Sequence, residues 1–396
     1  MPLPTTMLVI NSEKLPIKVW AKDADLVGYE SAIDQAKNLA NHPLARKWVC
    51  LMPDFHVGYG MPIGGVLATK GGVVPNAVGV DIGCGMVACK TMILADDIPK
   101  ETLQKIRLSI HEKVPVGKLH HKDSQENEFL DEHQAEVEVI TDPVLSDQWE
   151  NAYYQMGTLG GGNHFIELQK DENGFLWIMI HSGSRNLGKK VCDYYHGVAK
   201  HFAEMFHSKI TDLDLAFLPV GFPEHDMYMG AMELCMEFAE QSRLVMLHRV
   251  LESIEENTKP FNYDEPFDTH HNFAALENHY GENLMIHRKG AVKAKGLLTI
   301  PGSMGTCSYI CKGLEPKESF NTCSHGAGRV LGRKDANRKI THEQAVDSMK
   351  HVVFGIKHGD YDETPMCYKD IEKVIEYQSE FVEPIHRLLP LAVVKG

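Results

Sequence analysis

A single domain of mixed strands and helices is the fold class this sequence predicts, on three observations. Short apolar stretches that end in glycine-rich turns are interleaved with longer stretches whose apolar residues recur at helical spacing. No Pro/Gly/Ser-rich linker divides the 396 residues, and the chemically interesting motifs run from residue 54 to residue 329. Size alone allows one large domain or two; the spread of motifs favours one unit over residues 1–396. The pattern predicts mixed strands and helices but not their topology.

The strands come from three apolar runs. Residues 48–52 lead into Pro53-Asp54-Phe55-His56, residues 176–180 into His181, and residues 298–300 into Pro301-Gly302-Ser303-Met304-Gly305. Helices are predicted over 101–114 (Leu103, Ile106, Ile110, Val114), 191–207 (Val191, Tyr194, Tyr195, Val198, Phe202, Met205), 231–256 (Leu247, Val250, Leu251, Ile254) and 369–382 (Ile371, Val374, Ile375, Gln378, Val382). These stripes read as core-facing. Residues 118–150 are acidic and weakly patterned, and read as a surface excursion.

Composition narrows the class. Hydrophobic content of 43% and charged content of 24% are those of a soluble protein. The most apolar stretch, residues 73–92, is broken by Pro75, Asp81 and Lys90, so no membrane span is expected. Met1-Pro2-Leu3-Pro4 lacks the basic and apolar regions of a signal peptide. Nine cysteines without a Cys-x-x-Cys pair point to a reduced, cytoplasmic protein. A net charge of −14 argues against nucleic-acid binding by bulk charge, since phosphate contacts need Lys and Arg. Two basic runs run against that total: residues 287–295, and Arg329, Arg333, Lys334, Arg338 and Lys339. Such runs are commonly solvated surface, but both adjoin glycine-rich motifs.

The metal-capable residues sit in those motifs. Val78-Gly79-Val80-Asp81-Ile82-Gly83-Cys84-Gly85-Met86 places a carboxylate and a thiol three residues apart among glycines, which admit positive φ and close approach of a ligand. His164 follows Gly160-Gly161-Gly162-Asn163, and His181 precedes Ser182-Gly183-Ser184-Arg185. Of the adjacent His270 and His271, one at most should face a site in extended structure. Asp81, Cys84, His164, His181 and His271 together form a mixed hard–soft set, suited to a first-row divalent ion rather than Mg²⁺. Five ligands exceed one structural zinc but serve two ions if the thiolate bridges. Each residue alone also fits a bystander role, and the glycine context sets these apart.

Three turns expose backbone N–H groups: Gly157-Thr158-Leu159-Gly160-Gly161-Gly162, Pro301-Gly302-Ser303-Met304-Gly305 and His325-Gly326-Ala327-Gly328-Arg329. None is a phosphate loop or a dinucleotide fingerprint. His325, followed by glycine and close to Arg329, is a candidate nucleophile, because a neutral imidazole with a reference pKa of about 6.5 attacks phosphorus to give a phosphoramidate. A dinuclear phosphoesterase with no covalent nucleotide step is the competing reading.

Together these motifs resemble the RtcB RNA ligases over nearly the whole chain. The resemblance is carried by Pro53 to His56, Val78 to Met86, Gly160 to Glu167, His181 to Arg185, His270-His271-Asn272, Arg288-Lys289-Gly290-Ala291, Pro301 to Gly305, Ser324 to Arg329 and Val394-Lys395-Gly396. It implies a single α+β domain with mixed β-sheets and surrounding helices around a central cleft. It implies joining of RNA ends bearing a 2′,3′-cyclic phosphate or 3′-phosphate to a 5′-hydroxyl, with GTP and two Mn²⁺ per site, in tRNA splicing or RNA repair. Asp81, Cys84 and His164 would hold one ion, and Cys84, His181 and His271 the other. His325 would carry GMP. Asn163, His164, Phe165, Ile166, Glu167, His271, Asn272, Pro301, Gly302, Ser303, Met304, Ser308, Gly326, Ala327, Gly328, Tyr368 and Lys395 would surround the nucleotide. Asp54, Arg185 and Lys289 match positions tied to activity or RNA phosphate contact. An activating protein partner of the archease kind is left open. Phe55, where a small aliphatic residue is expected, and Gly161, where threonine is common in bacterial relatives, depart from the pattern without touching a ligand.

Overall fold

The computed structural model describes residues 7–139, 142–355 and 359–396. Residues 1–6, where no leader is expected, and residues 140–141 of the acidic segment lie outside them. Two large sheets organise the chain. The first has six strands in the order Met7–Ile10, Ile17–Trp20, Ala45–His56, Ile63–Thr69, Glu282–Lys289 and Asn272–His279. The second has seven, in the order Phe267–His270, Gly85–Leu94, Phe175–Ser182, Phe165–Lys170, Val382–Lys395, Ser308–Leu314 and Lys295–Ile300. Ile17–Trp20 runs parallel to Ala45–His56, whereas the pairs within the second sheet are antiparallel. The expected α+β fold is present. No helix among the described residues is long and apolar enough to cross a membrane.

The helices follow their stripes with instructive exceptions. Lys100–Lys113 buries Leu103, Ile106 and Ile110, as the spacing predicts. Arg185–Met205 starts a turn and a half before the predicted 191, directly after the His181 strand. The predicted helix over 369–382 stops at Tyr377. Asp370 caps its start by accepting from Glu372 N at 3.0 Å. Val382 then opens a strand that pairs with both Ser308–Leu314 and Phe165–Lys170. Gln378 is buried, and its Oε1 accepts from Ser324 N at 2.9 Å, next to His325. Tertiary pairing here overrides helical periodicity.

The segment 118–150 is the main correction. It is not a simple surface excursion: Glu128–Val139 and Pro143–Gln155 are helices. Leu130, Val137, Leu145 and Trp149 are buried in the same core as Tyr195, Tyr228 and Phe238. Each such burial stabilises by about 1.5–3 kcal/mol relative to exposure, which holds an otherwise acidic segment down. The helix Pro223–Asn257 joins two cores: Tyr228 to Phe238 pack in this one, and Met246 to Ile254 pack against the second sheet with Val87, Ile178 and Ile180.

Candidate active site

His271 lies where the chain leaves the second sheet at His270 and enters the first at Asn272. Its N–H donates to Cys84 O at 2.8 Å and its carbonyl accepts from Ala291 N at 3.1 Å. The site therefore forms at the seam of the two sheets. His270 and His271 face opposite ways, as neighbours in extended chain must. The His271 ring turns to His181, while His270 turns to Arg243 and Glu240.

The donor atoms converge. Cys84 Sγ is 3.4 Å from His164 Nε2 and 3.2 Å from His181 Nε2. His181 Nε2 is 3.3 Å from His271 Nε2, and His164 Nε2 is 2.9 Å from Asp81 Oδ2. The far nitrogens of two rings are committed: His164 Nδ1 donates to Leu159 O at 3.0 Å, and His181 Nδ1 donates to Asn163 O at 3.1 Å. With the proton on Nδ1, each Nε2 presents a lone pair inward, the arrangement that outer hydrogen bonds impose on metal-binding histidines. Gly183 faces Asp81 because a Cβ there would collide with the carboxylate. Burial pushes the His181 and His271 pKa values well below the ordinary histidine range, so both rings are neutral and could serve as ligands. Burial, then the Asp81 charge, pushes the Cys84 thiol well up, with Arg243 opposing. Burial also raises the Asp81 carboxyl, but the His164 hydrogen bond and charge outweigh it and hold it low. Nε2 atoms of three imidazoles and a sulfur, with a carboxylate alongside, fit a first-row divalent cation; binding would expel the thiol proton.

His325 follows the strand Thr322–Ser324, and its ring centroid is 4.9 Å from that of His271. Asp54, fully buried in the strand Ala45–His56, accepts from His325 Nδ1 at 2.6 Å and from His325 N at 3.1 Å. Burial raises this carboxyl, but the His325 bond and charge, with Lys369, bring it below the usual range. An ionised carboxylate only accepts, so the His325 nitrogen facing Asp54 carries a proton, and Nε2 is the nitrogen left for other partners. Lys369 Nζ donates to Pro53 O at 2.9 Å and Phe55 O at 2.7 Å, on either side of Asp54. The same ammonium lies 4.4 Å from the Phe55 ring and 4.3 Å from the Tyr29 ring. The departure at Phe55 thus packs under Lys369.

A cleft of about 540 Å³ opens beside His325, within the range of small-ligand sites. Asp81, Cys84, His181 and His271 lie on its wall with Asn163, Phe165, Glu167, Asn272, Lys289, Ser308, Tyr368 and Lys395. The turns Pro301-Gly302-Ser303-Met304 and His325-Gly326-Ala327-Gly328 complete it. Asn272 Nδ2 donates to Asp81 O at 3.0 Å and its Oδ1 accepts from Gly290 N at 2.7 Å. Burial lifts Glu167 to about 8, against the Gln169 hydrogen bond and the Lys395 charge. Lys289 Nζ donates to Tyr59 O at 2.5 Å and Asn76 O at 3.0 Å, and burial lowers its pKa to about 8.

Not every predicted residue lines the cleft. Ile166 points away from the cleft into the core with Leu168 and Ile178, because Phe165 and Glu167 take the inward face of the strand. Asp54 and His164 stand behind the cleft wall, and Arg185 does not line it. Arg185 donates to Thr158 Oγ1 at 3.1 Å and Gly117 O at 3.0 Å. The basic run 287–295 is not an open patch: His287 and Arg288 are fully buried, and Arg288 is paired with Glu277. Glu363 was not singled out by the sequence. It accepts from Tyr368 OH, from Arg329 Nη1 at 2.9 Å and from Arg333 at 2.7 Å, and lies 3.7 Å from Lys395 Nζ. Its signal in the sequence is slight, an acidic Asp360-Tyr361-Asp362-Glu363 run downstream of unmatched arginines.

Fold and site define a class: an α+β protein with a Cys/His/Asp cluster able to hold a metal beside a carboxylate-held histidine in a ligand-sized cleft. The family model for tRNA-splicing ligase RtcB matches residues 35–396. The RNA-splicing ligase RtcB of Escherichia coli K12 is 38% identical over 407 residues, covering 98% of this chain and 99% of that protein. The tRNA-splicing ligase RtcB of Archaeoglobus fulgidus is 30% identical, over 93% of this chain and 91% of that protein. That of Methanococcus maripaludis is 29% identical, over 93% and 92%. The chain belongs to the RtcB family.

Proposed function

We propose that this chain, an RNA ligase by family, joins RNA 3′-phosphate or 2′,3′-cyclic phosphate ends to 5′-hydroxyl ends, using GTP, Mn²⁺ and a covalent His325–GMP intermediate. The observation that carries the reading is His325: its Nδ1 is held at 2.6 Å by Asp54 and its ring abuts His271 of the donor cluster. A phosphoesterase with the same ions has no need of that pairing. Mn²⁺ ions held by Asp81, Cys84 and His164, and by Cys84, His181 and His271, would neutralise phosphate oxygens and the leaving pyrophosphate.

His325 Nε2 bonds to the α-phosphorus of GTP, the α–β P–O bond breaks, and pyrophosphate leaves with the electron pair. Asp54 holds the Nδ1 proton and stabilises the cationic ring that forms. Water opens a cyclic end to a 3′-phosphate. An oxygen of that 3′-phosphate then attacks the His325-bound phosphorus, the N–P bond breaks and the neutral imidazole returns. The 5′-hydroxyl oxygen finally attacks the 3′-phosphorus, GMP leaves, and the hydroxyl proton passes to solvent. Glu167, Ser308, Tyr368 and Lys395, all on the cleft wall, are assigned to guanine, and Lys289 to RNA phosphate.

Incubation with α-labelled GTP and MnCl₂ should give an acid-labile, alkali-stable label on the chain. Cleavage of phosphodiesters with no label would favour the phosphoesterase. Asp54→Asn should slow single-turnover labelling on the order of 10⁴-fold while leaving thermal unfolding near wild type, because an amide can present a donor to Nδ1 and favour the wrong tautomer. A labelling rate within tenfold of wild type would remove Asp54 from this role.

A further inference from the structure

The middle of the helix Pro223–Asn257 buries a charge that none of these steps uses. Arg243 is fully buried. A guanidinium in such a place is costly unless it is paired and its N–H groups are satisfied. Its satisfaction is complete and pointed. Nε donates to Asp268 Oδ2 at 2.5 Å and Nη2 donates to Asp268 Oδ1 at 2.7 Å, a bidentate pair. Nη1 donates to Gly83 O at 3.0 Å and to Ser182 O at 2.8 Å. Nη2 also lies 3.2 Å from His270 Nδ1.

The sequence positions of these partners matter more than their number. Gly83 precedes Cys84, Ser182 follows His181, and His270 precedes His271. One rigid, planar fork thus touches three separate segments, each one residue from a metal-cluster side chain. Gly85 makes room for it: a Cβ there would stand 2.9 Å from Nη2. Glu240, Asp268 and His270 could by composition hold a cation of their own. Both Asp268 oxygens are already taken by Arg243, which leaves that trio a support for the guanidinium.

We infer that Arg243 is the positioning residue of the metal centre, fixing the spacing of Cys84, His181 and His271 through the Gly83 and Ser182 carbonyls and the His270 ring beside them, with Asp268 holding the guanidinium in register. The inference rests on the metal-centre reading above. Packing alone predicts that loss of Arg243 lowers thermal stability and leaves the metal affinity of the folded protein unchanged. Positioning predicts that affinity falls in protein that is still folded.

The test is Co²⁺ titration of metal-stripped full-length protein, following the d–d bands and the thiolate-to-cobalt charge-transfer band. Arg243→Met keeps most of the volume and removes every donor. It should retain a cooperative melt but bind Co²⁺ about 10- to 100-fold more weakly, the usual cost of losing an outer-shell partner, with altered d–d bands. Arg243→Lys keeps the charge but not the fork, and should restore affinity only in part. Should Arg243→Met fail to fold, Arg243→Lys and Asp268→Asn carry the same measurement, each expected to weaken binding in folded protein. Wild-type affinity and spectrum in the folded variants would overturn the inference while leaving the metal centre intact. A wild-type protein that shows no thiolate–cobalt band would instead overturn the metal-centre reading and the inference with it.

Discussion

His325→Ala should abolish transfer of label from α-labelled GTP to the chain, and ligation with it, by at least about 10³-fold, the scale on which covalent catalysis fails without its nucleophile. Autoradiography after denaturing electrophoresis measures the first, and joining of a 3′-phosphate RNA to a 5′-hydroxyl RNA the second. Mn²⁺ binding should survive, because His325 is outside the proposed ligand set. The alanine variant has a second effect that must be separated from the first. Asp54 keeps its bond from the residue 325 backbone N–H but loses Nδ1, and its Oδ1 already has no partner among the described residues. A buried carboxylate stripped of a hydrogen-bond partner costs about 1–3 kcal/mol or more. The Asp54 carboxyl, held low chiefly by His325 against burial, should also rise. A group depressed in the fold stabilises above its unfolded pKa, so the variant should be destabilised at neutral pH and the difference should shrink as pH falls through the carboxylate range. His325→Gln offers Asp54 an amide donor and should recover stability without recovering label. Label that persists in both variants would move the nucleophile elsewhere. Lys289, a buried amine on the cleft wall with a pKa lowered to about 8, is then next to be mapped by peptide mass.

The candidate site was more legible in the sequence than the fold that carries it, for a physical reason. Ligand chemistry needs particular side chains in backbone that glycine keeps open, and such segments stand out one by one: Asp81 to Cys84, Gly160 to His164, His181 to Ser184, His325 to Gly328. Their convergence was not readable, since it is made by strand order, with His271 placed at the handover between two sheets. Where a reading went wrong, the competing force is visible. Trp149 and Leu130 lie among acidic residues that mask two amphipathic helices. Ile166 shares a motif with Phe165 and Glu167, yet the two-residue period of a strand sends it to the core. Val382 continues a helical stripe but is claimed by pairing with Gly313 at the start of a strand. Arg243 follows Glu240, Gln241 and Ser242 in a long helix and carries no local signal, yet its guanidinium reaches the Gly83 and Ser182 carbonyls and the His270 ring. Glu363 gathers Tyr368, Arg329, Arg333 and Lys395 from parts of the chain that no local pattern connects.

Cys84→Ala should have an effect as large as loss of the nucleophile, and for a different reason. Cys84 Sγ lies within 3.4 Å of His164 Nε2 and 3.2 Å of His181 Nε2, so it touches both halves of the donor set. If the thiolate is shared, its removal takes a ligand from each ion at once. Metal content at saturating Mn²⁺, read by mass spectrometry after gel filtration, should then fall for both ions together, and labelling by GTP should vanish. His164→Ala, which touches the Asp81 side alone, should spare the ion on the His181–His271 side. One Mn²⁺ retained by Cys84→Ala would mean that the sulfur does not bridge. Cys84→Ser should rescue little, because a serine hydroxyl does not ionise readily enough to replace a thiolate. The proton balance gives an independent handle on the same sulfur. Burial pushes the metal-free thiol well above its ordinary range, so Mn²⁺ binding must release that proton. Affinity should therefore weaken as pH falls, and proton release per ion bound, measured in weakly buffered solution, should drop in Cys84→Ala.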